Sequence, residues 1–149
     1  MKKLILTFIM IATFLTLSCS KKNNERSIAV FLPGIIADSP TYRRVAEGVT
    51  KAIEEWNLSC TEKDKIKLTI IEAGTTQSQW QPKITALAAS KNYELIISSN
   101  PSMPELCIPI AEKFPNQKFI LLDSFCDTNP QIASVSYDQT TEAFLYGYI

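Results

Sequence analysis

The chain has 149 residues, with 15 basic and 15 acidic side chains, no histidine and four cysteines. A leader carrying Lys2 and Lys3 would remove two of the basic residues, leaving a net charge of about −2 that argues against nucleic acid as a partner. Without histidine, Ser-His-Asp and Cys-His catalysis are excluded and a zinc site would need an improbable carboxylate set, so no metal, cofactor or enzymatic activity is expected.

Lys2-Lys3 is followed by an apolar run over 4–17 and then by Ser18-Cys19. A basic start, a short apolar middle and a small residue before a cysteine define an export signal ending in a lipobox, too short to span a bilayer comfortably. The lipobox is relaxed, because Thr16 stands where Leu is usual and Leu15 lies one position further back. Residues 1–19 are therefore expected to be a lipoprotein signal peptide with Cys19 lipidated, which places the protein at the cell membrane on its periplasmic or extracellular side. The alternatives are an ordinary secretory peptide with a free Cys19, or an uncleaved anchor. Residues 20–26, Ser-Lys-Lys-Asn-Asn-Glu-Arg, contain no apolar side chain and are expected to act as a solvated tether.

From Ser27 about 123 residues remain, enough for one domain with a real core. β-branched runs at 28–32, 66–71, 95–98, 119–122 and 132–135 alternate with amphipathic stretches, the pattern of a parallel sheet covered by helices, with strands buried on both faces. The first helix carries Tyr42, Val45, Ala46, Val49, Ala52, Ile53 and Trp56 on its inner face, and Arg43, Arg44, Glu47, Lys51, Glu54 and Glu55 on the wet side. A second helix is expected over 80–91, with Pro82 in its first turn and Ile84, Leu87 and Ala88 inward. A third opens at Ser102-Met103-Pro104-Glu105, a capping-box spacing, with a kink or late start at Pro109 and an end at Pro115-Asn116. The segment 138–149 begins like a capped helix and stops at Phe144-Leu145-Tyr146-Gly147-Tyr148-Ile149, an apolar end that wants a partner surface.

Ligands of open α/β sheets bind where loops leave the carboxyl ends of the strands, which selects 33–41, 73–79, 99–102, 123–127 and 137–140. None carries GxGxxG or GxxxxGK[ST], so dinucleotide and P-loop chemistry have no support. Asp123 and Asp127 share a loop, a spacing that says nothing about an acid/base pair. The loops do hold groups suited to a small polar ring compound. Tyr42 and Trp80 could stack on it, Asp38, Asn100 and Asp123 could hydrogen-bond it, and Gly74 could let it approach the backbone. Each has a plainer counterpart: Tyr42 and Trp80 as core or helix-start residues, Asp38 and Asp123 as turn caps. Cys60, Cys107 and Cys126, an odd set with no CxxC, allow one intrachain disulfide at most.

Four stretches carry a resemblance. They are Ala29-Val30-Phe31-Leu32-Pro33-Gly34 through Asp38-Ser39-Pro40-Thr41-Tyr42 to Glu47-Gly48, then Tyr93-Glu94-Leu95-Ile96-Ile97-Ser98-Ser99-Asn100-Pro101, and Phe114-Pro115-Asn116-Gln117-Lys118-Phe119-Ile120-Leu121-Leu122-Asp123 with the closing Phe144-Leu145-Tyr146-Gly147-Tyr148. In order and spacing the chain resembles the basic membrane protein family of bacterial lipoproteins, which includes purine nucleoside receptors of ABC importers. The resemblance runs from about Ser27 to the last residue and covers the first half of a typical member. It implies a type I periplasmic binding protein fold, with 27–136 as the N-terminal α/β lobe and 137–149 as the start of a second lobe that is otherwise missing. By the same likeness, Asp38 matches the acidic residue of the family's first loop, and Asp123 the acidic residue that contacts ribose in the nucleoside receptors. Those receptors usually read Asp-Lys-Ser-Phe-Asn in the first loop; here Thr41 stands at the base-stacking Phe and Tyr42 follows it. The function implied is a membrane-anchored substrate-binding lipoprotein serving an ABC permease, its ligand a nucleoside-like small molecule. The rival expectations are a surface lipoprotein that binds a macromolecular partner, and a truncated half without function.

Overall fold

The structure is a computed structural model that describes residues 26–138 together with 140, 143, 144 and 147. The signal peptide, Cys19 and all but the last residue of the expected tether lie outside the described residues, as does most of the final helix. Arg26, read as the end of the tether, is the first residue of a strand.

Five strands, β1 (Arg26–Leu32), β2 (Ile66–Glu72), β3 (Leu95–Ser99), β4 (Lys118–Leu122) and β5 (Ile132–Val135), form one sheet in the order β2-β1-β3-β4-β5, and every neighbouring pair is parallel. Three helices join them: α1 (Pro40–Ser59), α2 (Trp80–Ala89) and α3 (Met103–Lys113). The strand order determines which face each helix covers. The step from β1 to β2 runs one way along the sheet, whereas β2 to β3 and β3 to β4 run the other way. Right-handed crossovers then place α1 on one face and α2 and α3 on the opposite one. Two apolar clusters follow. Ile28, Val30, Leu32 and Ile97 pack under α1 through Ala46, Tyr42, Val45, Val49 and Ile53. Ala29, Phe31, Ile96, Phe119 and Leu121 pack on the other face against Trp80, Ile84, Ala88, Met103, Cys107, Ile110 and Ala111.

β1 is buried from Ile28 to Leu32 and β3 from Ile96 to Ser99, as expected, whereas β4 is buried on one face only, through Phe119 and Leu121, with Ile120 and Leu122 partly exposed. The edge strands depart further: no residue of β2 is fully buried, Ile70 is exposed, and in β5 only Ile132 is buried. A strand at the rim has a neighbour on one side only, and among the described elements α1 alone packs on its face of the sheet. The expected inner stripe of α1 likewise fails at its far end, where Ala52 and Trp56 are exposed. Twenty residues of helix span about 30 Å, whereas the seven residues of β1 span about 23 Å. The last turn of α1 therefore overhangs the amino edge of the sheet.

Helix ends show why the remaining boundaries fall where they do. Ser39 caps α1, its Oγ accepting from Tyr42 N, with Pro40 in the first turn. α2 stops two residues short of the expected Lys91, because Lys91 takes a left-handed conformation with φ 55° and donates its N–H to Ala88 O. The capping box at Ser102 does not form. Asn100 instead accepts from Ser102 N at its side chain and from Met103 N at its carbonyl, an Asx turn that starts α3. α3 begins at Met103 and runs through Pro109 to Lys113, so the late start does not occur. Beyond β5, Asp138 Oδ1 accepts from Thr140 N, consistent with the capped helix start read at this point.

Candidate functional site

The strand order reverses between β1 and β3, so the loops that follow these strands diverge to opposite faces and leave a crevice at the carboxyl edge of the sheet. Tyr42 and Asn100 meet there. The Tyr42 hydroxyl donates to Pro33 O at 3.1 Å and accepts from Asn100 Nδ2 at 3.3 Å, tying the loop after β1 to the loop after β3. The Tyr42 ring reaches this position by lying against Gly34, where an added Cβ would fall well inside van der Waals contact with Cε2 and Cδ2. Gly34 is a site residue that loop selection alone did not single out; its signal is the close approach of an aromatic ring, which no local pattern encodes.

The other loops are braced similarly. Glu72, at the end of β2, accepts from Ile36 N at 2.6 Å and so pins the 3-10 turn, Ile36–Asp38, that carries the exposed Asp38. Gly74 has φ 75°, a conformation open to glycine, and its carbonyl accepts from Trp80 Nε1 at 2.7 Å. Trp80 is only 7% exposed and belongs to the core cluster under α2. In this structure it follows the plainer reading, a core residue that supports the Gly74 loop from below, and its ring is not open to stacking. Lys83 reinforces the same loop by donating to Ala73 O.

Asp123 ends β4 in the left-handed region, with φ 54°. For a residue with a β-carbon this costs about 1 kcal/mol, less for aspartate, which can bond locally. It lines an open trough of about 500 Å³. One wall is the flank of α1, with Thr41, Arg44, Val45, Gly48 and Val49; the floor is Ser99, Leu122 and Asp123, and Tyr137 closes the side beyond β5. The trough is largely apolar, with one carboxylate, one guanidinium, two aliphatic hydroxyls and one phenol, groups that suit a small polar molecule with a flat or aliphatic body. Periodicity places Arg44 on the solvated side of α1, yet it lines the trough, because among the described residues no helix covers the α1 face above β4 and β5.

The candidate residues thus fall into three groups: Tyr42 with Asn100 at the crevice, Gly74 with Trp80 beside it, and Asp123 in the trough adjoining Thr41. Asp38 stands apart on its exposed turn. Cys60, Cys107 and Cys126 are all free thiols. Burial, with a smaller contribution from nearby Cys126, pushes the Cys107 thiol up to about 12. Among the described residues no group of His, Cys, Asp or Glu is placed to hold a metal ion, and no helix is long and apolar enough to cross a membrane.

A parallel sheet with helices on both faces and an open trough beside α1 at the carboxyl ends of β3 and β4 has the architecture of one lobe of a periplasmic-binding-protein-like fold. The chain belongs to the Bmp family, ABC transporter substrate-binding protein PnrA-like, whose profile matches residues 25–149. Solved structures share the fold. A lipoprotein fragment from Peptoclostridium difficile 630 superposes with a TM-score of 0.55 at 23% identity, over 83% of this chain and 95% of that one. An ABC transporter solute-binding protein from Conexibacter woesei DSM 14684 gives 0.61 at 17% identity, and the transcription regulator CcpA of Lactococcus lactis 0.59 at 17%. Both matches cover 83% of this chain, which spans only 39% and 43% of those two proteins. The family membership supports a substrate-binding role, and the family is typically non-enzymatic.

Proposed function

We propose that this chain is the ligand-facing first lobe of a membrane-anchored substrate-binding lipoprotein of an ABC importer, taking a nucleoside or a similar small solute. The observation that carries the reading is Asp123, held in a left-handed conformation at the end of β4 where it lines the trough. Backbone strain of this kind concentrates where a side chain must be presented in a particular direction. Asp123 and Asp38 would accept from sugar hydroxyls, Tyr42 and Asn100 would set the crevice wall, and Gly74 would permit close backbone approach. Residues 27–136 would form the lobe and 137–149 would lead toward a second one, whose closure over the ligand would complete the cleft. Cys19 would carry the lipid that holds the protein at the membrane, beside its permease.

A thermal shift of residues 20–149 against nucleosides, bases and sugars tests the reading, since a ligand at 100 times its Kd adds about 2.7 kcal/mol. A rise confined to one solute class supports it; a folded protein that responds to none refutes ligand binding by this lobe. A second reading, a surface lipoprotein that engages a macromolecule, is favoured by the exposed Phe125, Val135 and Tyr137 at and beside β5. Concentration-dependent self-association, or capture of a partner without any solute response, would favour it.

A further inference from the structure

The overhanging end of α1 lies at the opposite edge of the sheet from the trough and leaves two large apolar side chains in solvent: Leu58 is 87% exposed and Trp56 46%. Taken singly, exposed apolar residues need no explanation. Their place in the fold supplies one. Asn57, between them, clamps the start of β2 by donating to Ile66 O and accepting from Ile66 N, at 2.9 and 2.8 Å. Trp56 Nε1 donates to Asp64 O, which holds the indole against the α1–β2 loop. Ile66 is in turn the register partner of Arg26, the first residue of β1. Trp56, Leu58 and the point where the chain enters the domain therefore share one edge.

Six residues, 20–25, separate Cys19 from Arg26. Fully extended they reach about 20 Å, so a lipid on Cys19 would keep this edge within that distance of the bilayer. The geometry points to a membrane-resting surface: the Leu58–Trp56 end of α1 lies on the lipid interface, with both side chains among the headgroups. This rests on the lipid-anchor reading above. Trp suits such a place because its ring is apolar and its N–H polar, and that N–H is already bonded to Asp64. Lys63 and Lys65 alternate with Glu62 and Asp64 along the adjoining loop, so the local charge nearly cancels and the contact is apolar in kind. With the amino edge on the lipid, the trough at the carboxyl edge faces away from the membrane, open to solute.

The chain contains two tryptophans, and Trp80 is buried, which makes Trp56 a reporter of the contact. The test is quenching of tryptophan emission in the full lipidated chain, reconstituted in phosphatidylethanolamine–phosphatidylglycerol vesicles with or without brominated acyl chains. Resting at a depth of about 5–10 Å, Trp56 should lose most of its share of the emission, leaving that of Trp80. Trp56→Phe should remove the quenched part, and Leu58→Asp should lower the quenching while the chain still floats with vesicles; raised salt should change neither. Vesicle-bound protein whose emission bromine leaves untouched overturns the resting surface and spares the anchor. A chain that does not float with vesicles overturns the anchor, and the resting surface with it.

Discussion

Replacing Tyr42 by Phe isolates the one atom that joins the two loops of the crevice. The ring stays, so packing on Gly34 is preserved, but Pro33 O loses its donor and Asn100 Nδ2 its acceptor. Both bonds are partly buried, and each contributes about 0.5–1.5 kcal/mol net. Asn100 still accepts from Ser102 N through Oδ1, and its freed amide can turn toward water, so the lower half of the range applies on that side. The expected loss is about 1.5 kcal/mol, or about 6 °C in Tm for a domain of this size. Urea unfolding of Tyr42→Phe, Asn100→Ala and the double variant measures it. The double variant should fall short of the sum of the singles by about 0.5–1 kcal/mol, because they share one bond. Strict additivity, or a loss under about 0.3 kcal/mol for Tyr42→Phe, would show that the hydroxyl does not join the loops.

Gly34→Ala forces the Tyr42 ring off its seat and should cost about 2 kcal/mol, read by the same unfolding curves. Asp123→Ala keeps the left-handed backbone without a side chain able to bond locally, so it should lose about 1 kcal/mol of stability along with any solute-induced thermal shift; a shift that survives unchanged refutes the assignment of Asp123. Cys107 gives an alkaline prediction. Its thiol ionises at about 12 when folded against an ordinary 9.0, so above the lower value the unfolded chain sheds the proton first. The stabilisation is therefore complete below pH 9.0 and declines as pH rises toward about 12, by at most about 1.4 kcal/mol per unit. Cys107→Ala should flatten that part of a stability–pH curve, and in the parent chain Cys107 should react with alkylating reagents only on unfolding.

The β-branched runs, the three-and-four spacing of α1 and the helix end at Pro115-Asn116 were enough to read five parallel strands and intervening helices, because burial imposes its period directly on the residues of each element. Family membership was legible too, in stretches such as Tyr93 to Pro101 and Phe114 to Asp123, where strand, turn and helix start lie next to one another. Contacts between segments distant in the chain were not legible. No local pattern shows that Tyr42 bridges Pro33 and Asn100, that Gly34 is small for the sake of Tyr42, or that Trp80 turns its N–H to Gly74 O and its ring to the core. Nor does periodicity reveal sheet position. β2 and β5 read like central strands and are edges, Arg44 reads as solvated and lines a trough, and Trp56 reads as inward and overhangs the sheet. Propensity and hydrophobic period act within a few residues and are written in the chain itself. Which strand is central, how far a helix outruns its sheet and which loops meet depend on the order in which the strands assemble, and the tertiary structure alone decides them.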